Sequence, residues 1–218
     1  MTFTAGLRRF TFTTHVTSSV GWLGAVLVFV ALAAIGLISQ DERTVRGAYL
    51  VMAPAAWFVL VPLAHASLVS GVALSLGTPW GLIRHYWVAI KLVITVFSTV
   101  ILVIYMGTFR QMASVAADPV VELGLVRSPS PLLHAILAFV LLNAAAVLAI
   151  YKPFGLTPYG TRQQMRERLA PPGVVAARIQ ETKGGKTRGW EYVLWIVALA
   201  ILGLIVLSHL TGSGTHGH

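Results

Sequence analysis

The stretch HYWVAIKLVITVFSTVILVIYM, residues 85–106, decides the fold. After His85 it carries one charged side chain, Lys91, among apolar and hydroxyl residues. A helix crosses the hydrocarbon core of a bilayer in about 20 apolar residues. This run is therefore long enough to span a membrane, and it predicts a transmembrane helix over about 83–106. Four further stretches meet the same criterion, at about 16–38, 48–76, 131–150 and 190–210. The expected fold is all-α, a polytopic membrane bundle of five transmembrane helices forming a single domain over 1–218.

Composition agrees. Of the 218 residues, 56% are hydrophobic and 11% charged, against roughly 25% charged in a soluble domain. The net charge of +9 does not indicate nucleic-acid binding, because half of the basic residues fall in one loop, 152–189. With Arg8, Arg9 and Arg84, that loop outweighs Arg43, Arg46, Arg110 and Arg127 on the other side. The positive-inside rule then puts the N-terminus and the 152–189 loop in the cytoplasm and the C-terminus outside, in a plasma (inner) membrane. The apolar part of the first span exceeds the 7–15 residues of a signal peptide, so an uncleaved helix is expected. Cysteine is absent, so a metal or haem would have to use His, Met or oxygen ligands.

Local signals refine the spans. Pro54 and Pro62 predict a distorted second span. Ser130 followed by Pro131 predicts a capped helix start, and KPFG (152–155) a stop. TRQQMRERL (161–169) reads as a short basic helix ending before Pro171. Gly21 and Gly24 would let helices approach closely, and Asn143 would bond between helices.

No Asp or Glu lies inside any span. Lys91, about 12 Å into its helix at 1.5 Å per residue, thus needs an anionic ligand, a water-filled cavity or a path for its ammonium to the headgroups. Trp80, Arg84, Trp87 and Lys91 would share a face if the helix reached back that far. The histidines fall into two sets. His15, His65 and His85 lie toward the cytoplasmic side. His134, His209, His216 and His218 lie toward the outside, with Met106 and Met112 nearby. Imidazole ligates haem iron and copper. The inner set, with Lys91 and Arg84 beside the propionates, suits haem b and membrane redox chemistry. The outer set with Met106 suits copper binding or transport. A third reading is a scaffold or accessory subunit without a cofactor, its histidines satisfied by neighbouring helices.

THVTSSVGWLGAVLVF (14–29) and HYWVAIKLVITVFSTVILVIYM (85–106) resemble the first and third helices of a bacterial group of haem- or metal-linked membrane proteins. That group includes the HemJ-type protoporphyrinogen oxidases and the copper-resistance D proteins; YKPFGLTPYG (151–160) resembles uncharacterised integral membrane proteins allied to them. The likeness covers roughly 10–110. It implies His15 as the haem-associated histidine of the first helix and Lys91 as the lysine of the third. An enzyme of this kind would be a haem-dependent oxidoreductase. The expected partners are the lipid bilayer, membrane redox or complex proteins and a second copy of the chain. Where the oxidases carry Arg and His near the far end of the first helix, this chain runs into SQDERTVR (39–46).

Overall fold

The computed structural model describes residues 3–78, 81–153 and 155–169. Contacts divide the chain into two units, one of residues 3–163 and one of residues 1–2 with 164–218. The second is described only over 164–169. The expected span at 190–210 lies outside the described residues, as do His209, His216 and His218.

The described chain is helical: α1 (Ala5–Ile38), α2 (Glu42–Ala55), a π-helical turn (Ala56–Leu60), α3 (Val61–Gly77), α4 (Tyr86–Ala117), α5 (Ser130–Tyr151) and α6 (Pro158–Leu169). α2, the π turn and α3 run on as one rod. Four helical rods are thus long and apolar enough to cross a membrane. They run alternately up and down, with α1 packed on α2–α3 and α5, and α4 on the same two neighbours. No more than 33% of the most apolar window of any rod is buried. Phe10, Phe58, Val93, Ile104, Leu133, Val140 and Ile150 all point outward. An apolar exterior around a packed interior is the arrangement a bilayer rewards.

The core follows helical spacing. Trp22, Val26, Phe29 and Ala33 form the buried stripe of α1. They meet Tyr49, Met52, Leu60 and Ala64 of the second rod and Met106, Phe109 and Met112 of α4. Phe29 and Phe109 touch edge to face at 5.4 Å. Gly36 admits the Tyr49 ring: a Cβ there would overlap it. Gly21 lets Leu63 approach, its Cβ position lying 3.3 Å from that side chain, whereas Gly24 has nothing within 4 Å and is no packing point.

The second rod widens between its two prolines. Pro62 has no N–H to give the carbonyl four residues back, and its ring crowds that turn. Val61 N–H donates to Ala56 O, five residues back, and the turn becomes π-helical. At the start of α5, Ser130 is the first helical residue and makes no cap bond. Its hydroxyl instead meets Tyr105 Oη at 3.0 Å and His134 Nδ1 at 3.3 Å. Lys152 ends α5 in a left-handed conformation, φ 46°. Asn143 Nδ2 donates to Phe139 O in its own helix at 2.8 Å rather than to a neighbour. The expected basic helix forms as α6.

A helix leaves its last carbonyls without intrahelical donors. Two arginines supply them at the end of the bundle away from Arg8 and Arg9. Arg127 donates from Nε to Gly36 O (3.1 Å) and from Nη2 to Ser39 O, closing α1. Tyr49 Oη donates to the same Gly36 O at 3.1 Å. Arg46 closes α4, donating to Val115 O, Ala116 O and Asp118 O from Nη1 and to Pro119 O and Val121 O from Nη2. Glu42 holds Arg46 in place with an ion pair of 2.6 Å.

Replacing Arg127 with Met is expected to cost about 2–4 kcal/mol, since it removes two charge-assisted bonds and strands half-buried carbonyls. Thermal unfolding in detergent would measure it. Asp41 caps α2 through Thr44, whose hydroxyl and backbone N–H both donate to Oδ2. Those bonds hold the Asp41 carboxyl below its usual range. A depressed carboxylate pKa stabilises the fold above the unfolded value near 3.9 and loses that effect as pH falls through the folded value. The gap in thermal midpoint between wild type and Asp41→Asn is thus expected to close on acidification below about pH 4.

Candidate functional site

A cleft of about 910 Å³ opens among α1, α3, α4 and α5 at the end of the bundle where α1 starts. Its space comes from small side chains: Ala145, Ala146 and Ala149 on α5 and Gly71 on α3. Its apolar walls include Phe12, Val16, Val20, Leu68, Val72 and Leu92, and Trp22 lies at its inner end. Among the described residues its polar groups are Ser19, Ser67, Ser75, Thr78, Thr95, His15, Arg8, Arg9, Lys91 and Lys152, with no carboxylate.

Most of these hydroxyls are committed to the protein. Ser75, Thr78 and Thr95 donate back to the carbonyls of Gly71, Leu74 and Lys91. Ser19 and Ser67 pair across α1 and α3 at 2.7 Å. His15 completes that seam. Its Nδ1 lies 3.0 Å from Ser67 O and 3.2 Å from Ser70 Oγ. A carbonyl only accepts, so Nδ1 carries the proton and Nε2 keeps its lone pair. A Cβ on Gly71 would stand 3.0 Å from His15 Cε1, so glycine leaves the ring its room.

Lys91 sits one turn above Trp87, its Nζ 5.7 Å from the indole centroid. No carboxylate lies within ion-pair distance of it among the described residues; the one ion pair there is Arg46–Glu42. The cleft therefore offers an imidazole lone pair, the Lys91 ammonium and basic groups at its mouth against an apolar wall. That combination is complementary to an amphiphilic anion. Its size falls in the range of about 300–1,000 Å³ typical of small-molecule sites.

The expected site residues separate. His15 and Lys91 come together in the cleft, with Ser19 and Trp22 on the α1 face. His65 does not line it, and its Nδ1 donates to Val61 O in its own helix at 2.7 Å. His85 precedes α4 and pairs with Leu156 in a short bridge. Arg84 lies in a bend before the helix, its carbonyl accepting from Thr157 N–H at 3.0 Å. The helix begins at Tyr86, so Arg84 does not continue the Trp87–Lys91 face, and Trp80 lies outside the described residues. A two-histidine haem site built from His15, His65 and His85 is therefore not assembled in this cleft.

The outer set is spread as well. His134 donates from Nδ1 to Ser130 O at 2.8 Å and packs on Tyr105, ring centroids 4.5 Å apart. Met106 is buried in the core at 5% exposure, away from the surface where copper would be collected. No group of three or more His, Asp or Glu that could hold a metal occurs among the described residues. Sequence reasoning had treated Arg8, Arg9 and Lys152 only as topology signals. It passed over Ser67, Ser70 and Gly71, although HASLVSG (65–71) already shows their helical spacing.

Lys91→Met keeps the volume and removes an ammonium that no carboxylate offsets. It is expected to raise the thermal midpoint by a few degrees, as residues kept for function at a cost to stability do when replaced. A fall in the midpoint would mean that Lys91 is a structural residue. No family model, curated protein or solved structure matches the chain.

Proposed function

We propose that this multi-pass membrane protein holds an amphiphilic anion in the basic cleft, and that the anion is a b-type haem ligated by His15 alone. The observation that carries the reading is the His15 seam. A ligating histidine characteristically donates its other ring N–H to a carbonyl or carboxylate, which fixes the ring and raises its basicity. His15 does this through Ser67 O. Lys91 and the basic mouth of Arg8, Arg9 and Lys152 supply charge for two propionates, and the apolar walls and Trp87 suit a flat macrocycle. The likeness of residues 14–29 and 85–106 to haem-linked membrane proteins supports the same assignment.

A haem bound there would supply one-electron redox chemistry. The chain's own residues would do the rest: His15 would hold the group, Lys91 would neutralise its charge, and Val16, Val20, Leu68 and Val72 would exclude water. The basic end faces the cytoplasm in this reading, which the distribution of Lys and Arg supports.

Purified protein, expressed with haem supplied, is expected to show a Soret band and a stoichiometric b-type pyridine haemochrome. His15→Ala should abolish both, and His65→Ala should leave both unchanged. A colourless wild-type protein, or a spectrum indifferent to His15, would sink the haem assignment.

A further inference from the structure

The lining of the basic cleft is uneven in its exposure. No described lining residue on α3 or α4 is exposed. The exposed apolar ones lie on α1 and α5: Phe12, Val16 and Val20 on successive turns of α1, and Ala146 and Ile150 on successive turns of α5. Val20 is 64% and Ile150 73% exposed.

The two rows border one gap. Val16 and Val20 stand about 100° of helix rotation from His15 and Ser19, whose bonds to Ser67 join α1 to α3. With one edge of α1 joined to α3, the other turns to α5, a second neighbour that lines the same cleft. On α5, Leu137 and Leu141 line a smaller cavity of about 240 Å³ with Phe97 and Ile101 of α4. Ala146 and Ile150 fall on the opposite side of that helix by spacing, toward α1. The smaller cavity lies beyond Trp22, which lines both, and has no charged side chain among its described residues. The basic cleft thus opens sideways between α1 and α5 as well as at its basic mouth.

We infer that the cleft takes its ligand sideways from the bilayer, through the gap between α1 and α5, and that the ligand is a membrane-dissolved amphiphile with a carboxylate head. This rests on the reading that the cleft holds an amphiphilic anion, and not on that anion being haem. An amphiphile in the adjoining leaflet has its head beside Arg8, Arg9 and Lys152 and its apolar body beside Val16 and Val20. Sliding in sideways keeps that body out of water throughout. The small side chains of Ala146 and Ala149 leave the way open. Lys91, with no carboxylate at ion-pair distance among the described residues, draws the head inward.

The chain has no cysteine, so a single introduced one can carry a bimane fluorophore. Full-length Ala149→Cys, expressed without added haem, is labelled and reconstituted in phosphatidylcholine vesicles. Two lipid-borne quenchers are compared, a nitroxide-labelled stearate at a pH that ionises it and its uncharged methyl ester. The acid is expected to half-quench position 149 at about one tenth of the bilayer content that the ester needs, the factor of one charge-assisted hydrogen bond. Val147→Cys, exposed on the same helix outside the cleft, should be quenched equally by both. Lys91→Met should remove the preference at 149. Ala146→Trp, which fills the gap, should protect 149 from the acid and leave 147 unchanged; Val16→Trp closes the gap from its other edge if that variant does not fold. Equal quenching by acid and ester at 149, or quenching there that both plugs leave intact, would overturn the inference. The readout needs no haem, so a colourless protein that passes it would sink the haem assignment alone.

Discussion

The polar seam between α1 and α3 sets the geometry on which the basic end depends. His15, Ser19, Ser67 and Ser70 satisfy one another across two helices that otherwise present apolar surface. In a bilayer no water is available to take over these bonds, so the two helices are held at a fixed rotation. That rotation puts the His15 ring in the wall of the cleft. It also places Gly71 beside the ring, where any larger residue would press on it.

Charge in this chain is spent in two different ways. At one end, Arg46 and Arg127 are consumed by the carbonyls that close α4 and α1, Glu42 holds Arg46, and Asp41 caps the start of α2. At the other end, Arg8, Arg9, Lys91 and Lys152 gather around an open cleft with no carboxylate among its described lining residues. The Lys91 ammonium, with no carboxylate at ion-pair distance among the described residues, is costly inside an apolar bundle. That is the arrangement expected where the counter-ion is a ligand.

The two cavities lie in sequence along the bundle, with Trp22, 2% exposed, lining both. One is basic and large, the other uncharged and small. The π turn falls beside this junction, with Leu60 in the wall of the smaller cavity.

The sequence by itself determined the class of fold and most of the helix limits, because twenty apolar residues without a carboxylate have few alternatives to a spanning helix. It also singled out Lys91 on charge, a property of one helix read alone. It gave no means of choosing among His15, His65 and His85. That choice depends on how α1 and α3 are rotated against each other, which only packing settles. The same limit hid the caps. Arg127 and Gly36 stand 91 residues apart in the chain, and nothing local distinguishes a capping arginine from one that marks topology. The shared face proposed for Arg84 and Lys91 failed at the bend before Tyr86, where Gly81 takes a positive φ of 63° and the backbone leaves the helix. Helix periodicity is written in the sequence one segment at a time; cavities, seams and caps arise between segments, and the tertiary structure alone decided them.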